Sequence, residues 1–202
     1  MRTARLEDLR GALRRRPAVR LTGLLAADVV ALAQKRLAKA TFKPLPPSPL
    51  DSRKVAADPV LRALLISRLN EPSLLKAVET ILGRGPVAGF FGQLYRQEPG
   101  NESYLRWHGD VLDKSRLAAL TITLNETPFE GGTLQIRRRG GNLLARIDNA
   151  RAGDAVLFRI SPTLEHRNTP VTGNAPKLTF SGWFFDIPLA EIERRIAAKA
   201  FA

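Results

Sequence analysis

His108 and Asp110 lie two positions apart in the stretch Tyr104-Leu105-Arg106-Trp107-His108-Gly109-Asp110. On a β-strand the side chains alternate with a period of 2. An imidazole and a carboxylate at this spacing therefore face the same way and offer two ligands to a metal ion. The chain has one other histidine, His166, to supply a third. Two imidazoles and one carboxylate leave coordination positions open, a donor set that suits Fe(II). Asp113 competes with Asp110, but its offset of five from His108 puts it on the opposite strand face. A bare H-x-D pair also occurs on any solvated surface strand, and His166 alone could be a hydrogen-bonded histidine at a strand end, so the surroundings must decide. The chain has no cysteine. This excludes disulfides, zinc-thiolate sites and thiol nucleophiles, and leaves His, Asp, Glu or water as ligands.

At 202 residues with 44% hydrophobic content, the chain suits one domain with room for a real core. No apolar run approaches the ~18 residues needed to cross a bilayer. The Arg-rich start is not followed by the apolar segment of a secretory signal, so a soluble cytoplasmic protein is expected. The net charge is +13 and unevenly spread, with 13 Lys or Arg against 4 Asp or Glu in residues 1–57. Such a basic part could bind nucleic acid, a ribosomal partner or an acidic substrate. A solvated basic surface is the favoured reading, because no aromatics interleave with Arg14-Arg15-Arg16 to stack on bases. A nucleic-acid partner is thus the less favoured reading.

These residues need elements to position them. Residues 3–16 and 26–40 read as helices, the second rich in Ala and Leu. Lys43 to Pro49 carries four prolines in six residues and reads as an extended connection. Asp58-Pro59 opens a helix as N-cap and first-turn proline, running to about Leu69. Glu71-Pro72 opens another, closed by Gly83. From Val87 the pattern changes to short β-forming runs near 87–95, 104–111, 117–124, 132–138, 142–148, 154–160, 164–169 and 177–185, punctuated by Gly, Pro and Asn. The stretch Arg137 to Asn142 reads as a hairpin turn. A final helix covers roughly 188–200. Eight strands in succession suggest a jelly roll. The fold class expected is mainly β with flanking helices: a double-stranded β-helix (jelly roll) over 84–187, a helical support segment over 1–83 and a C-terminal helix in 188–202, together forming one compact domain.

With the strands in place, residues 87–186 resemble the catalytic domain of the 2-oxoglutarate- and Fe(II)-dependent oxygenases, in particular the prolyl-4-hydroxylase-like branch. Pro99-Gly100-Asn101-Glu102-Ser103-Tyr104 precedes the H-x-D as in that family. Leu124-Asn125 with Phe129-Glu130-Gly131-Gly132-Thr133-Leu134 is similar to its L-N and GG-x-L strand pair. Gly153 to Phe158, Leu164 to Val171 around His166, and Lys177 to Phe184 follow in the family's order. Residues 1–83 lie outside this resemblance, although helices commonly buttress the family's jelly roll.

The resemblance implies that His108, Asp110 and His166 ligate Fe(II), and that Lys177 holds the far carboxylate of 2-oxoglutarate. A buried dicarboxylate needs a cation. Arg139, Arg159 and Arg167 are alternatives, and Lys177 lies 11 positions after His166, one more than the family's spacing. Thr179 shares the Lys177 face, and Thr123, Tyr95 and Tyr104 are further candidates for the oxoglutarate pocket. Trp183 and Phe184 read as packing, and Gly131-Gly132 as a tight turn. The implied reaction spends 2-oxoglutarate and O2, releases succinate and CO2, and hydroxylates a C–H bond of a small molecule or an amino-acid or peptidyl side chain. The carboxylate of Asp110 argues against halogenation, for which the family carries a small residue. The alternatives are a cupin-type metal oxygenase or isomerase without 2-oxoglutarate, and a non-enzymatic basic module binding RNA or another acidic partner. Residues 41–57, 96–103 and 111–116 are candidate specificity loops.

Overall fold

The computed structural model describes residues 3–45, 51–100, 105–111 and 113–200. The helices are α1 (Thr3–Arg15), α2 (Ala27–Leu37), α3 (Pro59–Leu69), α4 (Pro72–Leu82) and α5 (Leu189–Ala200). The strands of the amino-terminal part are β1 (Ala18–Leu21), β2 (Phe42–Pro44) and β3 (Lys54–Ala56). The roll is built from β4 (Gly89–Gln97), β5 (Leu105–His108), β6 (Arg116–Thr123), β7 (Glu130–Gly131), β8 (Leu134–Arg138), β9 (Leu143–Ile147), β10 (Ala155–Arg159), β11 (Leu164–Asn168), β12 (Val171–Thr172) and β13 (Lys177–Phe185).

A seven-stranded sheet in the order β1-β10-β6-β13-β4-β3-β2 faces a four-stranded sheet in the order β5-β11-β8-β9, and β12 pairs with β7. Among the described residues every strand pair is antiparallel, as a double-stranded β-helix requires. The fold is mainly β with flanking helices, as expected.

The large sheet is sided by strand alternation. Along β13, Phe180 and Phe184 point to the helical layer, where they pack on Phe90 of β4 with ring centroids 5.9 and 4.9 Å apart. Leu120, Ile122 and Leu157 join them, with Leu61, Leu65 and Leu69 of α3, in the main core. The opposite face of the large sheet meets the small one through Ala119, Val156 and Phe158 against Leu134 and Ile136. The functional residues lie in this second, smaller interior.

Local signals explain the helices. Asp58 accepts from Leu61 N at 2.9 Å, Pro59 follows it, and Gly83 ends α4 at φ +63°. The 1–83 segment is not only helical, however. β1 pairs with β10, and β3 pairs with β4 and β2, so this segment supplies both edges of the large sheet. Strands of three and four residues have too few alternations to show a period. The predicted hairpin turn is present: Arg138 N donates to Asn142 O at 3.1 Å and Gly140 takes φ +65°. Among the described residues no helix is long and apolar enough to cross a membrane.

Candidate metal centre

β5 and β11 pair so that His108 stands directly opposite His166. Their rings lie 4.2 Å apart between centroids. The third residue, Asp110, does not share a strand face with His108. β5 ends at His108, and Asp110 turns in from the loop beyond Gly109. The carboxylate that the spacing singles out does reach the two histidines, but from a loop and not along a shared strand face. Asp110 Oδ1 is 3.6 Å from His108 Nε2 and Oδ2 is 3.4 Å from His166 Nε2. One donor atom from each residue falls within 4.8 Å of the others, close enough to converge on one ion.

Neighbouring groups fix each donor. His108 Nδ1 lies 2.7 Å from Arg106 O, which selects the tautomer with a hydrogen on Nδ1 and leaves the Nε2 lone pair for a metal. Trp183 Nε1 donates to Asp110 Oδ2 at 2.7 Å. Arg116 lies over the Trp183 ring at 3.9 Å and donates to Asp110 O at 3.4 Å. Trp183 is therefore more than packing, since it ties the carboxylate to the large sheet. Phe158 packs edge-on against His166. Burial pushes His166 down to about 4, with Asp110 opposing and His108 and Arg53 assisting the fall. Its imidazole is neutral at pH 7, as a ligand must be. The donors fit a divalent transition metal with open positions.

The cavity beside the donors is lined by Tyr95, Thr121, Ser181, Trp183 and Arg53, among others. Arg53, Thr121 and Ser181 were not expected from the sequence. Thr121 Oγ1 and Ser181 Oγ are 2.7 Å apart across β6 and β13. Arg53 stacks on Tyr95 at 3.9 Å and is gripped by both oxygens of Asp51 at 2.8 and 2.6 Å. The only sequence sign of this pair is its i, i+2 spacing in an extended segment, which is too common to single it out.

Lys177 and Thr179 lie on the same inward face of β13 as Ser181 and Trp183. Thr179 is in register with both Tyr95 and Thr123, so the three are cross-strand neighbours. Lys177, Thr179 and Thr123 are all buried, but none lines the cavity at the metal donors. Lys177 Nζ donates to Gly132 O. Burial, with Arg53 nearby, pushes Lys177 down to about 7. A buried amine on a strand of hydroxyls is ready to meet a carboxylate that restores its charge. Of the alternative cations, Arg167 is held by Gln135 at 2.7 Å and Arg139 by Pro162 O at 2.8 Å, while Arg159 points into a separate groove. Tyr104 lies outside the described residues, as does most of the proline-rich connection.

The model of the 2OG-Fe(II) oxygenase superfamily matches residues 92–185. No curated protein sequence matches the chain at a significant level. Among solved structures, a Pseudomonas putida prolyl-4-hydroxylase is similar over 89% of this chain and 98% of its own, at 22% identity and a TM-score of 0.66. A Trichoplax adhaerens prolyl hydroxylase, in complex with a peptide fragment of the hypoxia-inducible factor oxygen degradation domain, is similar over 97% of each chain at 17% identity and a TM-score of 0.68. The epimerase SnoN, in complex with Fe3+, alpha-ketoglutarate and nogalamycin RO, is similar over 92% of this chain and 85% of its own, at 19% identity and a TM-score of 0.66. Residues 92–185, which carry all three metal donors, match the 2OG-Fe(II) oxygenase superfamily, with Fe(II) as cofactor and 2-oxoglutarate and O2 as co-substrates, and the chain shares its fold with prolyl hydroxylases of known structure.

Proposed function

We propose that this chain is a hydroxylase: it inserts one oxygen atom into a C–H bond of a small molecule or of an amino-acid side chain and converts 2-oxoglutarate to succinate and CO2. The observation that carries the reading is the convergence of His108, Asp110 and His166 between the two sheets. Bound iron would supply O2 activation coupled to oxidative decarboxylation of 2-oxoglutarate. The chain's own residues then have four tasks. His108, Asp110 and His166 hold the ion on one side, and Trp183 and the Arg106 carbonyl keep two of those ligands in orientation. Lys177 takes the far carboxylate of 2-oxoglutarate, with Thr179, Thr123 and Tyr95 as its neighbours. Tyr104 stays a candidate on sequence grounds. The apolar walls Phe158 and Leu134 exclude water.

In this reading residues 84–187 carry the chemistry, flanked by a support segment over 1–83 and a terminal helix in 188–202. Epimerisation is the second reading, favoured by the likeness to SnoN. The two differ in the product. The chain should be incubated with Fe(II), 2-oxoglutarate and 18O2 against pooled amino acids, short peptides and small metabolites. Succinate formation coupled to a product bearing one heavy oxygen is expected. A product of unchanged mass would contradict hydroxylation and leave epimerisation.

A further inference from the structure

A second concavity, of about 790 Å3, lies apart from the metal donors. Arg10, Arg14, Arg84, Arg138, Arg139 and Arg159 line it. They come from four separate places: α1, the turn after α4, the β8–β9 turn and the end of β10. Among the described residues no Asp, Glu or aromatic side chain lines it. The nearest carboxylates are Glu7 and Glu165, each 3.6 Å from an arginine of the groove (Arg10 and Arg139) and outside its walls. The side chains of Arg14, Arg138 and Arg159 make no hydrogen bond or ion pair among the described residues. Arg10 Nε is a buried donor without a partner. Like charges gathered in a concavity repel one another, and the fold tolerates this where an anion completes the site.

We propose that this groove binds a single-stranded nucleic acid through its phosphodiester backbone. Two features favour a strand over a compact phosphate ligand. Among the described residues no helix N-terminus lines the groove, and the donors are long, forked arginine side chains spread over several elements. With no aromatic side chain in its walls to stack on bases, the groove would hold a strand by its phosphates alone. The positive charge also continues along α1, whose last turn carries Arg14 and Arg15. One arginine of the groove approaches the metal centre. Arg139 Nη2 stands 2.9 Å from where a Cβ on Gly109 would lie, between the two ligands His108 and Asp110. Leu164, at the start of the strand that carries His166, forms part of its wall.

The test is fluorescence anisotropy of the full chain with a labelled 12-nucleotide RNA and the matching DNA across a salt series. The variant Arg14→Gln/Arg138→Gln/Arg159→Gln changes three exposed side chains. The control Lys35→Gln/Lys39→Gln/Lys43→Gln removes the same charge from exposed positions elsewhere. The expected result is binding by the wild type and at least tenfold weaker binding by the arginine variant. Its salt slope should flatten by about 2, at roughly 0.7 per phosphate contact on single strands. The lysine control and His166→Ala should bind as the wild type does. Circular dichroism checks that each variant is folded, and the milder Arg138→Lys/Arg159→Lys should retain binding. Absence of wild-type binding at low salt, equal loss in the lysine control, or full displacement by ATP at equal phosphate concentration would each overturn the proposal. Binding is read without iron or turnover, so this proposal and the hydroxylase reading can fail separately.

Discussion

At the scale of single residues, the centre depends on how its ligands are held. Trp183→Phe keeps an aromatic ring, though a smaller one, and removes the N–H from which Asp110 Oδ2 accepts. Losing such an outer contact should weaken Fe(II) affinity by about 10–100-fold, read by anaerobic metal titration, and unchanged affinity would show that the contact is idle. Lys177 gives a pH dependence of defined sign. Its folded pKa is lowered to about 7. Below that value the amine is charged and can hold a carboxylate directly. Above it the free protein carries a neutral amine, and binding must take up a proton. The affinity for 2-oxoglutarate should therefore fall by about tenfold per pH unit above pH 7 until the pKa of the complex is reached. Calorimetry with Mn(II) in place of iron, between pH 6.5 and 9, measures this; a flat profile contradicts the role given to Lys177. The candidate ligands were legible because the chain has only two histidines. Arg53 was not, because one arginine among 32 Lys and Arg carries no mark of burial until β3 brings it over Tyr95.

At the scale of elements, caps and close approaches decide where chain segments start and stop. Asp58 both caps α3 and accepts two 2.8 Å bonds from Arg36 of α2. Asp58→Ala should cost about 1–3 kcal/mol by denaturant unfolding, and Asp58→Asn less, since an amide can still cap. The Arg36 hydrogen bond, against the cost of burial, holds the Asp58 pKa below its ordinary value. Its contribution is therefore full above the unfolded carboxylate pKa and is lost as pH falls through the folded one. At Gly131 a Cβ would sit 2.3 Å from Pro170 O, and φ is +69°. Gly131→Ala should push β7 off β12 and lower stability by about 1–3 kcal/mol. These features were readable beforehand as Asp-Pro and Gly-Gly punctuation. β1, β2 and β3 were not, because short edge strands are defined by the partner they pair with and not by their own pattern.

At the scale of the whole molecule, the centre joins the two sheets. His108 and His166 come from the small sheet, and Asp110 is tied to the large one through Trp183. An ion bound to all three should stabilise the folded state alone. Mn(II) at a hundred times its Kd should add about 2.7 kcal/mol to the unfolding free energy, and His166→Ala should abolish that gain while leaving the fold intact. The layered architecture was legible because alternating strands of five to nine residues such as β4, β6 and β13 declare their faces. The arginine groove was not, since its walls come from segments more than a hundred residues apart that only the folded chain brings together.

The most direct test of the central claim is an anaerobic titration of the metal-free protein with Fe(II) and then 2-oxoglutarate, following the visible charge-transfer band of an iron-chelated keto acid. The wild type should develop the band. His166→Ala should not, and Lys177→Ala should need at least tenfold more 2-oxoglutarate to reach it. A wild type that binds iron without the band, or variants that develop it as readily as the wild type, would contradict the assignment of these residues.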